Sequence, residues 1–137
     1  AGFSTFKPED KLGISFVVAE TYQGGGAPPP PGGCKVLATY VAAVKPQFQT
    51  NCAGCHGGGN QNAKSALDLS LLASDDEYTC AQTLNRISTE DILNSAILLA
   101  PNPGMPSAHD FKFGSQGAYD TYEAAVTPWI EAERDAP

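Results

Sequence analysis

The chain has 137 residues, enough for one domain with a real core, and 15 acidic against 8 basic side chains leave a formal net charge of -7. That balance argues against nucleic acid and against an anionic membrane surface, and favours a partner that carries a basic patch. No apolar run approaches the roughly 20 residues of a bilayer-spanning helix, and the lack of a signal peptide at Ala1 suggests a processed product or a fragment.

Residues 13–22, with Ile14, Phe16, Val17, Val18, Thr21 and Tyr22, are rich in β-branched and aromatic side chains and predict a strand. A lone strand does not hold itself in water, so it either packs on its own chain, pairs with the Phe3 to Phe6 region, or adds to a partner's sheet. Residues 23–33 are glycine and proline in bulk and have the composition of a spacer. The chain therefore divides into an extended N-terminal arm and linker at 1–33 and a mainly α domain at 34–137.

Over residues 35–49 the apolar side chains Val36, Leu37, Tyr40, Val41, Val44 and Phe48 recur at helical spacing, with Pro46 expected to kink the helix or restart it. The helix enters Cys52-Ala53-Gly54-Cys55-His56, and Cys-x-x-Cys-His is the spacing that attaches a c-type haem covalently. Two thiols one helical turn apart can each add to a vinyl group of one porphyrin, and the next residue then lies under the iron, which makes His56 the expected proximal ligand. A zinc site would need two further ligands nearby, yet Cys34 and Cys80 lie far off in sequence. A thioredoxin-like dithiol would follow a strand in a βαβ pattern, and none is visible.

After His56, Gly57, Gly58, Gly59 and Asn60 predict a sharp turn close to a porphyrin edge. Leu67, Leu69, Leu71 and Leu72 offer core packing. Ser74-Asp75-Asp76-Glu77 has the pattern of a capping box and predicts a helix with Cys80 facing inward. Ser88-Thr89-Glu90-Asp91 predicts another helix, carrying Ile92, Ala96 and Leu99 to a stop at Pro101. Residues 101–117 are broken by proline and glycine and hold Met105, the one methionine, and His109, the one other histidine. A final amphipathic helix is expected over 118–134, with Tyr119, Tyr122, Val126, Trp129 and Ile130 on one face and Pro128 removing a hydrogen bond. The entry and final helices are expected to pack across each other.

Taken together, the entry helix, Cys52-x-x-Cys55-His56, the loop-rich middle and the aromatic C-terminal helix resemble a mono-haem class I cytochrome c domain. More narrowly, Leu67-Asp68-Leu69, Ser95 to Leu99, His109 to Ser115, Tyr119 and Trp129-Ile130 resemble the cytochrome c domains of planctomycete-type surface proteins. The resemblance covers about residues 35–133. It implies one covalent haem c as cofactor, bound by Cys52, Cys55 and His56, with His109 as the second axial ligand. The family pattern of His-Gly-Gly-Gly is here His109-Asp110-Phe111-Lys112, and the arm at 1–33 has no counterpart. Gly104-Met105-Pro106 has the look of a methionine ligand loop, so Met105 stands as the alternative to His109.

Thioether attachment takes place outside the cytoplasm, which implies a periplasmic or extracellular protein and makes Cys34 and Cys80 readable as a disulfide. The function expected is electron transfer without catalysis, in a subunit or module of a larger redox assembly, with redox proteins as partners in a membrane-bound or extracellular complex docked through the arm. The alternative is a haem enzyme or sensor with an open distal site, peroxidase-like, in which His109 would serve as the acid–base group.

Overall fold

The computed structural model describes residues 33–137; the strand expected at 13–22 and the spacer up to residue 32 lie outside the described residues. All regular structure among the described residues is helical: α1 (Leu37–Thr39), a π-helical turn (Tyr40–Val44), α2 (Lys45–Asn51), α3 (Ala53–His56), α4 (Gln61–Ala66), α5 (Asp76–Leu84), a 3-10 turn (Ile92–Asn94), α6 (Ala96–Leu99) and α7 (Gln116–Asp135). None of these helices is long and apolar enough to cross a membrane.

The helix expected over 35–49 is present as α1, the π turn and α2 in succession, and the π turn is its answer to Pro46. Proline has no N–H to donate and its ring crowds the carbonyl four residues back. Just before it the ladder widens, so that the Lys45 N–H donates to the Tyr40 carbonyl five residues earlier, and Pro46 then falls in the first turn of α2, where a missing donor costs nothing.

Tyr40, Val44 and Phe48, spaced by four, are fully buried against α7, whose Tyr119, Tyr122, Val126, Trp129 and Ile130 are buried in turn. The Tyr40 and Trp129 rings meet edge to face with centroids 5.5 Å apart, a contact worth about 0.5–1.5 kcal/mol beyond the area it buries. α7 begins at Gln116, two residues ahead of the expected start, because the Ser115 hydroxyl accepts the Ala118 N–H and caps it. It runs on through Pro128 to Asp135.

Two other expectations need correction in detail. The cap of α5 is Asp75, which accepts the Tyr78 N–H at 2.9 Å, so the helix starts one residue later than a Ser74 cap would set it. The helix expected from 88 to 101 is broken into the 3-10 turn and α6. Here short polar side chains compete with the backbone ladder: Ser88 Oγ accepts the Asp91 N–H, Asn94 Nδ2 donates to Asp91, and the buried Ser95 hydroxyl accepts the Ser88 N–H.

One end of the domain is tied three ways. The Cys34 and Cys80 sulfurs are 2.03 Å apart, a disulfide that spans 46 residues and joins the start of the domain to α5. The buried Glu133 carboxylate accepts the Lys35 and Val36 N–H groups at 3.0 and 2.9 Å, supplying from α7 the negative charge that the first turn of α1 lacks. Lys35 Nζ donates to the Ala136 carbonyl.

Tyr122 is buried and donates its hydroxyl proton to the Ile97 carbonyl at 2.9 Å. Burial, and next the negative charge of neighbouring Cys52 and Tyr119 groups, holds its pKa well above the ordinary value of 10.0, and Tyr40 is raised by burial too. A raised phenol pKa contributes stability that is complete below the unfolded value and is lost as pH climbs through the folded one. Burial holds the Cys52 thiol above its ordinary 9.0 as well, so the melting temperature of the chain with free thiols should stay level to about pH 8 and fall progressively above about pH 9. Circular-dichroism melts across that range check this, and a level profile to about pH 11 would contradict it.

Candidate metal centre

α2 passes into α3 through Cys52, whose N–H donates to Phe48 O at 2.9 Å while its carbonyl accepts the Cys55 and His56 N–H groups at 3.2 and 3.0 Å. That single helical turn sets the two thiols and the imidazole on one wall. Cys52 is half-buried and Cys55 exposed, both with free thiols, and both line the same cavity as His56. Burial first, then the neighbouring Cys55, pushes the Cys52 thiol up to about 12. At neutral pH it is an uncharged thiol in apolar surroundings, unlike the low-pKa thiolate of a redox dithiol.

His56 is clamped by the leucine segment that follows α4. Its Nδ1 lies 2.9 Å from the Leu67 carbonyl, and a carbonyl can only accept, so Nδ1 carries the proton and Nε2 keeps its lone pair. The Leu69 N–H returns a bond to the His56 carbonyl at 3.1 Å. Gly57 makes this closeness feasible, because a Cβ there would stand 2.9 Å from the Ala53 oxygen and 3.2 Å from the Leu69 oxygen. The glycine is needed for backbone against backbone, and Leu67 and Leu69, expected only as core, also hold the His56 imidazole and backbone in place.

His109 reaches the same cavity from the loop after α6. Its Nδ1 lies 2.7 Å from the Phe111 carbonyl, which fixes the same tautomer and again leaves Nε2 as the acceptor nitrogen. The two imidazoles are nearly parallel, with an interplanar angle of 12° and centroids 6.0 Å apart. A metal–imidazole bond of about 2 Å on each side, together with the reach from each ring centre to its nitrogen, spans about that distance. The pair therefore has a ring separation and a protonation pattern with which two imidazoles could hold one metal ion between them.

The cavity between them has a volume of about 560 Å³, within the range of cofactor-sized pockets. Phe48, Leu67, Ile97, Phe111 and Tyr122 supply apolar wall, and Arg86 is the one lysine or arginine in the lining. Arg86 Nε donates to the Ala66 carbonyl, which leaves its terminal nitrogens directed elsewhere. Exposed Asn60, Asn62 and Asp110 border the opening.

Met105 does not line this cavity and its side chain is exposed, so the structure brings His109, and not Met105, into the space opposite His56. Cys34 and Cys80 are also away from it; with Glu133 they form the one group of three metal-type side chains whose ligand atoms all lie within 4.8 Å among the described residues, and there the sulfurs are bonded to each other. The carbonyls of Leu67 and Phe111 orient both imidazoles, and no side-chain signal in the sequence could have marked them. Comparison with known proteins adds no relative: no family model, no curated protein and no solved structure matches the chain.

Proposed function

We propose that this chain is an exported electron-transfer protein built around one c-type haem, covalently held by Cys52 and Cys55 and ligated axially by His56 and His109, with a class I cytochrome c-like arrangement. The observation that carries this is the facing pair of parallel imidazoles at 6.0 Å, each tied through Nδ1 to a backbone carbonyl, over a cavity that also holds two free thiols at Cys-x-x-Cys-His spacing. Bound there, the haem supplies a one-electron iron couple.

The chain's own residues do the rest. Donation from Nδ1 to a carbonyl raises the basicity of each imidazole and fixes its plane, so that little ligand movement accompanies a change of charge on the metal. Phe48, Ile97, Phe111 and Tyr122 exclude water from the space between the rings. Arg86 offers a guanidinium to carboxylates of the cofactor. The disulfide suits an exported protein, periplasmic or extracellular. Redox proteins with basic docking faces fit as partners, since the chain carries a net charge of -7. The enzyme or sensor alternative needs an open position opposite His56, and the His109 ring, with its centroid 6.0 Å from that of His56, favours the closed reading.

The decisive test is the covalent bond. Haem-loaded protein, denatured and freed of loose cofactor, should show the mass of the chain plus one haem and retain haem absorbance on a denaturing gel. A mass equal to the bare chain would overturn the proposal, as would the loss of attachment failing to follow Cys52→Ala together with Cys55→Ala.

A further inference from the structure

The segment that carries His109, residues 100–113, contains no helix or strand. At its base the Phe113 N–H donates to the Pro101 carbonyl at 3.1 Å, and within it the Gly104 and Ser107 N–H groups donate to Asn102 Oδ1 and to the Met105 carbonyl. These bonds are local or lie at the neck of the loop. What spans its interior is the side chain of half-buried Lys112. Its ammonium donates to the Ala100 carbonyl at 2.7 Å, to the Met105 carbonyl at 3.2 Å and to Ser107 Oγ, while the Ser107 hydroxyl donates to the same Ala100 carbonyl at 2.9 Å. An ammonium has three N–H donors, and here each has an acceptor from a different part of the loop. Ala100 follows directly on α6, so the charge also sits where the unpaired carbonyls of a helix end favour a cation.

We propose that Lys112 is a positioning residue for His109, latching the loop so that the imidazole stays opposite His56, a role that rests on the bis-imidazole reading above. Lys112 follows Phe111, whose carbonyl accepts the His109 Nδ1 proton. Anchoring the lysine head to Ala100, Met105 and Ser107 therefore fixes the backbone that orients the ring. Without the ammonium only the neck bond, the Ser107–Ala100 hydrogen bond and local turns remain, and the loop would carry His109 away from its place opposite His56 more often.

The test uses the haem-loaded full chain as wild type, Lys112→Met, Lys112→Arg and Ser107→Ala, and reads carbon monoxide association with the ferrous protein alongside the spin-state bands of the resonance Raman spectrum. Lys112→Met should raise the open-site population, and with it the rate of carbon monoxide binding, by about tenfold, the effect of losing a hydrogen-bonded charge. Lys112→Arg should recover most of the difference, and Ser107→Ala should give a smaller rise in the same direction. A lower melting temperature for Lys112→Met with unchanged binding kinetics and spin state would make the lysine merely structural and overturn the latch. If Lys112→Met fails to fold or load haem, Ser107→Ala decides: a faster rate supports the latch and an unchanged one overturns it. An iron–thioether spectrum in wild type would overturn the bis-imidazole reading and the latch together, whereas a bis-imidazole wild type with inert variants removes the latch alone.

Discussion

If the protein carries haem as proposed, His109→Ala should convert a six-coordinate low-spin iron into one that is high-spin or binds carbon monoxide readily, while Met105→Ala leaves the spectrum nearly intact. The imidazole of His109 stands 6.0 Å from that of His56, centroid to centroid, and Met105 is exposed and outside the cavity. Removing a tethered competitor should raise carbon monoxide affinity by at least about 100-fold, the scale on which intramolecular ligands compete. Added imidazole should restore the low-spin spectrum, because it supplies the missing nitrogen without the tether. Two imidazoles also place the reduction potential below that of a His/Met site, since thioether ligation favours the reduced iron. A thioether-to-iron charge-transfer band in the oxidised wild type would assign the ligand to Met105 and contradict this result.

Opening the Cys34–Cys80 bridge should be the most damaging change to stability that leaves the cavity between His56 and His109 untouched. The bond closes a span of 46 residues, and such a loop restricts the unfolded chain by about 3–4 kcal/mol. For a domain of this size that corresponds to a fall in melting temperature of roughly 15 °C or more. Cys34→Ala with Cys80→Ala is the cleaner variant, since serine would leave a hydroxyl at position 80, which is fully buried. Neither cysteine lines the cavity, so the haem spectrum of the folded variant should match wild type. Alkylation of both thiols in protein denatured without reductant would show that the bridge is not formed.

Much of the helical layout was legible because it is written in side-chain periodicity. Tyr40, Val44 and Phe48 repeat every fourth residue, Tyr119 to Ile130 repeat on one face, and both sets are buried against each other in the structure. Boundaries were less legible wherever several short polar residues compete for one cap. Asp75 takes the role that the pattern assigned to Ser74, and the Ser88, Asp91, Asn94 and Ser95 side chains divert a helix into two short turns. At the candidate site, Cys52, Cys55, His56 and His109 stand out by residue type alone, and the structure gathers all four around one cavity. What orients them was hidden because it is main-chain chemistry: a Leu67 carbonyl and a Phe111 carbonyl belong to residues whose side chains advertise only packing. Glu133 and Lys112 were hidden for another reason. A single charge in a chain with 23 acidic and basic side chains carries no mark of its partner until the fold brings a helix start or a loop beneath it.

The triple tie at Cys34, Lys35 and Glu133 also governs how the domain hangs from whatever it is joined to. The Lys35 N–H is held by Glu133 and its ammonium by the Ala136 carbonyl, so both ends of the described segment are tied to one corner. Gly33, with φ of 64°, takes the left-handed turn at that corner that few other residues adopt without strain. No residue of 33–47 or 123–137 lines the cavity, so the corner where the described segment begins and ends and the cavity itself are built from separate parts of the chain.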